Sequence, residues 1–322
     1  MATDALNLIV DPATKSYTGD ICPICSEKQC RIAFKKPLIN KCQNCGHAFK
    51  QKQDHDIISG YSGKVQMPEH MVAKYFARYY CNFIKHHIGF MNINGILEIG
   101  SGNGVLLNYI RKRNSRVEIT SLEPSQYHCQ KIRKIPNVQV INDYVENAHF
   151  NRQFDLIIMS HVLEHLPNPK GTLRLICDKF LEPDGYILIA IPSGEFELSS
   201  EPVAAMSPAG HLHYFTNSSL ENMLVSSGFQ RESLIGFKDI TLPANYCTVM
   251  ANIARFENDR RFIGLACKFF FKAIRRLSLY FKILFKYLFH IEPPQISYKM
   301  NNNKFNNIIM LARKRSTPAI GH

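Results

Sequence analysis

Acidic residues are in short supply in this 322-residue chain: 26 Asp and Glu stand against 39 Lys and Arg, a formal net charge of +13. That imbalance points to an anionic partner, whether nucleic acid, a phosphorylated substrate or an acidic membrane surface. Long apolar runs are also missing. No stretch reaches the ~18 uncharged apolar residues that a spanning helix needs, so a transmembrane anchor is not expected. The first residues, MATDALNLIVDPATK, lack both a basic start and a long apolar segment, so no secretory signal is expected either. A disulfide framework is excluded on different grounds. There are ten cysteines, and four of them fall into a paired, metal-like pattern, which fits a reducing compartment, the cytoplasm.

What is present is most informative at Ile96-Leu97-Glu98-Ile99-Gly100-Ser101-Gly102-Asn103-Gly104. An apolar run ends in an acidic residue and a glycine-rich turn, and Val105 to Ile110 continues as an apolar helix. This strand, loop and helix start present backbone N–H groups to a polar ligand. The loop reads G-x-G-x-G rather than the G-x-G-x-x-G of nicotinamide dinucleotide sites. A second strand, Val117 to Leu122, ends in Glu123, 25 residues after Glu98, and a carboxylate there can take both hydroxyls of a ribose. A third, Val138 to Asn142, ends in Asp143, well placed for an adenine amino group. The apolar strand Phe154–Ser160 leads into His161-Val162-Leu163-Glu164-His165, and Glu182-Pro183-Asp184-Gly185 turns into the strand Tyr186–Pro192. Strands and helices alternating at this pitch predict an α/β, Rossmann-like doubly wound sheet.

Over roughly residues 90 to 235 the chain resembles the class I S-adenosylmethionine-dependent methyltransferases. The likeness rests on LEIGSGNG, Glu123, SHVLEHL, LEPDGYILIAIP and HLHYFT. It implies that Glu98 with Gly100, Ser101, Gly102, Asn103 and Gly104 holds the methionine end of S-adenosylmethionine. Glu123 would then hold the ribose and Asp143 the adenine, with Ser160 and His161 also at the cofactor. The resemblance further implies that Asn306–Lys314 is the last strand, antiparallel at the sheet edge. The H-x-x-E-H pattern of His161–His165 also occurs in inverted zinc proteases, but its place directly after a sheet strand argues against that chemistry.

Ahead of this region, Cys22-Pro23-Ile24-Cys25 and Cys42-Gln43-Asn44-Cys45 are separated by sixteen residues. Two such knuckles can place Cys22, Cys25, Cys42 and Cys45 tetrahedrally around a structural Zn²⁺, with no open position for catalysis. Cys30 and His47 could substitute as ligands, but His47 is expected as a solvated neighbour and Cys30 in the intervening loop. The predicted organisation is a zinc ribbon over 1–55, a helical linker over 56–90, and a methyltransferase unit over 91–322 with an amphipathic insertion at 255–290. A zinc ribbon in this place resembles both bacterial sugar and polysaccharide-cluster methyltransferases and a class of ribosomal RNA guanine methyltransferases.

Transfer to an alcohol or carbon acid needs a base, and histidine titrates near neutrality. His211 and His213 alternate in His211-Leu212-His213-Tyr214-Phe215-Thr216, so an extended segment would turn both to one side of the cleft, and they are the candidate bases. His165 is a third candidate base, expected rather to stabilise the adjacent loop. The turn after the fourth strand reads Ser160-His161-Val162-Leu163, unlike the [Asn/Asp]-Pro-Pro-aromatic turn shared by enzymes that methylate adenine or glutamine amines. Residues 261–290 contain no acidic residue and, on a helical projection, separate a basic stripe from an aromatic face. That pattern fits peripheral contact with an anionic membrane, and RNA binding would need stacking aromatics among the cations. The sequence therefore points to a methyltransferase acting on a sugar or glycoconjugate, a small-molecule or lipid-linked glycan, with RNA as the alternative acceptor.

Overall fold

The computed structural model describes residues 21–35, 38–50, 67–199, 210–237 and 307–315. The insertion at 255–290 lies outside them. Three short strands open the chain, β1 (Cys30–Lys35), β2 (Leu38–Cys42) and β3 (Ala48–Lys50), followed by the helix α1 (Met67–His87). The alternating region comes next: β4 (Gly95–Ile99), α2 (Val105–Arg113), β5 (Glu118–Leu122), α3 (Gln126–Ile132), β6 (Val138–Ile141) and β7 (Phe154–Ser160). It continues through α4 (Pro169–Leu175), β8 (Leu181–Pro192), the short α5 (Gly194–Glu197) and β9 (His213–Tyr214). The fold ends with α6 (Asn217–Val225), β10 (Phe229–Phe237) and β11 (Asn307–Lys314).

Seven strands form the central sheet in the order β10-β11-β8-β7-β4-β5-β6. The pairs β4–β5, β4–β7, β5–β6 and β7–β8 are parallel, whereas β11 runs antiparallel to both β8 and β10. Parallel strands are buried on both faces and need unbroken apolar sequence. All five residues of β4 are accordingly buried, including Glu98. Strand order reverses between β4 and β7, which opens the ligand crevice at their carboxyl ends. Two apolar layers cover the sheet. One packs α1 and α2 through Tyr80, Ile84 and Leu107, and the other gathers Phe154, Phe180 and Leu220.

The second layer also takes in Ile24 and three of the four knuckle cysteines, so the ribbon shares a core with the main sheet. Its own sheet has the order β1-β2-β3-β9, and β9 comes from the region expected to be purely methyltransferase. Ala48 pairs with Tyr214 and Phe49 with His213. Among the described residues no helix is long and apolar enough to cross a membrane.

Candidate cofactor and acceptor site

The loop after β4 is shaped by three glycines in the left-handed region, Gly100 (φ 71°), Gly102 (φ 52°) and Gly104 (φ 70°). They serve different ends. A Cβ on Gly100 would lie 2.4 Å from Val162 Cγ2 and one on Gly104 would lie 2.8 Å from Ile135 Cδ1, whereas one on Gly102 would meet nothing within 4 Å. The outer two glycines permit packing, and the middle one faces open space where a ligand can approach. The loop is tied down by the Gly100 N–H donating to the Leu122 carbonyl at 2.8 Å and the Gly104 N–H to the Ser101 carbonyl at 2.9 Å. Ser121 donates to Ser101 Oγ at 2.8 Å beneath it. Lys131 donates to Asn103 at 2.9 Å from α3.

Two carboxylates converge on this loop. Glu123, at the end of β5, accepts the Gly102 N–H on Oε2 at 2.8 Å and the Ser125 N–H on Oε1 at 2.9 Å. Each oxygen retains a lone pair for a hydroxyl donor. Glu98 is buried and its Oε2 has no hydrogen-bond partner. Burial pushes its carboxyl up to about 8, and the nearby Glu123 charge adds to the rise. A buried carboxyl without a partner is costly, and an ammonium group placed against it would remove that cost. Asp143, just past β6, accepts from the Tyr144 N–H at 2.7 Å and Asn147 Nδ2 at 3.1 Å. Ser160 ends β7, and His161 follows in a left-handed conformation with φ 55°. The loop, Glu98, Glu123, Asp143, Ser160 and His161 all lie at carboxyl ends of the parallel strands. This arrangement suits an aminoacyl nucleoside such as S-adenosylmethionine.

Residues 163–165 form a single 3-10 turn rather than the helical face a zinc protease requires. Glu164 in this turn is 1% exposed, and neither carboxylate oxygen has a hydrogen-bond partner. Burial alone would push its carboxyl up, but His161, His165 and His211 around it hold it below the ordinary value. Its Oε1 lies 3.6 Å from His161 Nδ1 and 3.9 Å from His165 Nε2. His165 Nδ1–H donates to the Gly210 carbonyl at 2.7 Å, in keeping with the loop-stabilising place expected for it.

The two candidate bases part company in the structure. The strand here is only two residues long, His213–Tyr214, and the two histidines take different partners. His211 precedes it, and Nδ1 of His211 lies 2.8 Å from Glu197 Oε1. Burial opposes protonation of His211, but the Glu197 bond outweighs it and the imidazole sits above its ordinary value. His213 is buried in β9, its Nε2–H donating to the Leu166 carbonyl at 3.1 Å and its Nδ1 facing His47 Nε2 at 3.1 Å. Burial pulls its imidazole down to about 3. Glu197 carried no sequence signal, because nothing in the spacing links a short helix to a histidine fourteen residues later.

In the ribbon the four thiols of Cys22, Cys25, Cys42 and Cys45 lie within 4.8 Å of one another. The Cys22–Cys45 and Cys25–Cys42 sulfur separations are 3.5 and 3.6 Å. Tetrahedral Zn²⁺ with ~2.3 Å bonds needs sulfur–sulfur edges of about 3.8 Å, so the cage fits the ion. Each knuckle closes through a left-handed residue after its second cysteine, Ser26 (φ 64°) and Gly46 (φ 72°). Two expectations are corrected. His47 is fully buried against Phe49, His213 and Phe215 rather than solvated, because β9 covers it. Cys30 starts β1 opposite Cys42 rather than lying in a loop, and it is not among the four converging thiols.

Comparison with known proteins agrees with this geometry. Residues 75–234 match a family model described as a methyltransferase domain. The chain is 26% identical over 117 residues to a ubiquinone biosynthesis O-methyltransferase of Proteus mirabilis, covering 34% of this chain and 46% of that protein. It is 23% identical over 170 residues to the enzyme of the same name from Psychrobacter arcticus, covering 47% and 65% respectively. The chain thus spans less than two thirds of these relatives. Among solved structures, a putative sarcosine dimethylglycine methyltransferase from Galdieria sulphuraria superposes with a TM-score of 0.49 at 14% identity, covering 75% of this chain and 86% of that one. The reversal of strand order between β4 and β7, the glycine loop between two acidic strand ends and the family match lead to one conclusion: the chain carries a class I S-adenosylmethionine-dependent methyltransferase domain.

Proposed function

We propose that this protein transfers a methyl group from S-adenosylmethionine to a hydroxyl of a sugar or glycoconjugate, nucleotide- or lipid-linked, with His211 receiving the acceptor's proton. The observation that carries the reading is the buried Glu98 carboxyl, whose Oε2 has no hydrogen-bond partner, in the strand that runs into the loop of the open Gly102. When bound, the cofactor supplies an electrophilic methyl on a sulfonium. Glu98 takes the ligand's ammonium, Glu123 its ribose hydroxyls and Asp143 the adenine edge. Ser160 and His161 line the crevice beside them.

Between the two candidate bases the geometry favours His211. A base must hold the proton it removes, and an imidazole pulled down to about 3, with both ring nitrogens engaged, is poorly suited to do so. Glu197 fixes the His211 tautomer with the proton on Nδ1, and it stabilises the imidazolium that forms on proton uptake. Oxygen as the accepting atom is supported by the names of the relatives. The sugar class rests on the four-cysteine ribbon and its resemblance to polysaccharide-cluster enzymes. The net charge of +13 supports RNA as the alternative acceptor. We assign Zn²⁺ to Cys22, Cys25, Cys42 and Cys45, and peripheral contact with anionic membrane to 261–290.

Calorimetry with S-adenosylhomocysteine tests the cofactor reading, and absence of binding refutes it. Incubation with radiolabelled cofactor, sugar nucleotides and total RNA decides the acceptor, with label in RNA alone overturning the sugar assignment. Sedimentation with neutral and acidic liposomes tests the membrane contact. Protein that stays in the supernatant with both removes it.

A further inference from the structure

Residues 210–216 are gripped by three neighbours. Along one edge runs the ribbon strand β3, whose Lys50 N–H donates to the Leu212 carbonyl at 2.9 Å. On the opposite side the Gly194 N–H donates to the Phe215 carbonyl at 2.8 Å. Here a Cβ on residue 194 would lie 2.5 Å from the Tyr214 carbonyl carbon, so α5 packs directly on this backbone. From the third side, the Leu212 N–H donates to the Glu164 carbonyl at 2.9 Å and His213 donates to the Leu166 carbonyl.

A two-residue strand is far shorter than the ~5–6 residues typical of a strand, so it takes its register from its partners. β3 is in turn held by the knuckle before it. The Cys42 N–H donates to the His47 carbonyl at 2.8 Å and the Gly46 N–H to the Cys42 carbonyl at 3.1 Å. His47 then reaches across to His213 at 3.1 Å inside a buried aromatic stack. Lys170, at the start of α4, adds a second tie by donating to the Ile24 carbonyl of the first knuckle at 3.0 Å. The ribbon shares a core with the main sheet, and a metal at the four thiols would fix the knuckle that leads into β3.

We propose that the four-cysteine ribbon is a positioning element of the acceptor side. Metal at the knuckles holds β3, β3 holds residues 212–214, and these keep His211 against Glu197. The inference rests on the zinc and His211 assignments made above. It places the ribbon's effect on the proton-transfer side, because the glycine loop and Glu123 are tied to β5, α3 and one another, and Glu98 is held opposite Ser121 in the β4–β5 pair.

The test uses the full chain with ¹⁵N-labelled histidine, zinc-loaded and after chelation under reductant, and follows amide exchange by mass spectrometry. Metal removal should raise exchange by about tenfold or more in 210–216 as well as in 22–50. Exchange in 95–123 and the affinity for S-adenosylhomocysteine should stay within about twofold. The downfield Nδ1–H signal of His211, assigned by its loss in Glu197→Gln, should disappear with the metal. Should chelated protein aggregate, His47→Leu provides the second arm. It keeps the four thiols and about one metal per chain, and it should loosen 212–214 and weaken the same signal. The proposal is overturned if 22–50 opens while 210–216 and the His211 signal are unchanged, or if His47→Leu leaves both as in the wild type. Failure of the zinc-loaded wild type to bind S-adenosylhomocysteine would strike the cofactor reading instead, so the two failures are distinguishable.

Discussion

Replacing Glu98 by Gln tests the cofactor site through its protons. With its carboxyl pushed up to about 8, Glu98 is about nine-tenths protonated at pH 7 in the free protein, and ionising it there costs about 1.4 kcal/mol. An ammonium group against it favours the charged form, so binding should release most of one proton. The charged contact contributes up to ~3 kcal/mol. Subtracting the ionisation cost leaves roughly 0.3 kcal/mol at pH 6, 1.6 at pH 7 and 2.6 at pH 8. Glu98→Gln should therefore weaken S-adenosylhomocysteine by less than about twofold at pH 6, about fifteenfold at pH 7 and approaching a hundredfold at pH 8. Calorimetry in buffers of different ionisation enthalpy reads the released proton directly, and the difference between wild type and variant cancels the ligand's own titration. The reasoning is refuted if both proteins show the same buffer dependence, or if the loss of affinity does not grow with pH. The sign for stability runs the other way. A carboxyl raised from 4.5 to about 8 leaves the free fold most stable below the lower value and progressively weaker as pH climbs through the upper one.

The glycine loop separates packing from binding. Gly102→Ala should cost only the ~1 kcal/mol of left-handed backbone strain yet lower cofactor affinity by about tenfold or more, whereas Gly100→Ala should destabilise by about 2–4 kcal/mol through Val162. Thermal melts beside calorimetry tell the two apart, and equal affinity in Gly102→Ala would count against the assigned ligand position. Elemental analysis of protein purified under reducing conditions should give about one zinc per chain, lost in Cys22→Ser or Cys42→Ser, and metal-free wild type would contradict the cage. His211→Ala should lower turnover by roughly 10²–10⁴ with cofactor affinity unchanged. His213→Ala should instead lower stability by about 2–4 kcal/mol, because it empties a buried joint and strands His47. Full activity in His211→Ala would remove it from the mechanism.

Local sequence determined a good deal of this protein by itself. Apolar runs leading to Glu98, Glu123 and Asp143 specify parallel strands that bring these residues to one end of the sheet, because strand length, turn chemistry and alternation with helices act over a few residues. The two knuckles are legible for the same reason: four cysteines at fixed short spacings can converge through local turns, and they do. The last strand, implied by the family resemblance to close the sheet at its edge, is antiparallel at 307–314 but sits inside the sheet, because β10 pairs along its outer side and takes the edge. The tertiary structure alone decided which polar groups become partners. His211 with Glu197, His213 with His47, and Glu164 among three histidines join residues 1 to 166 positions apart. Burial pulls both imidazoles down, but the bond to Glu197 outweighs it at His211 and nothing does so at His213, so chemically identical rings end in opposite directions. Two alternating histidines read alike in sequence, because their difference lies in a ribbon strand that only folding brings beside them.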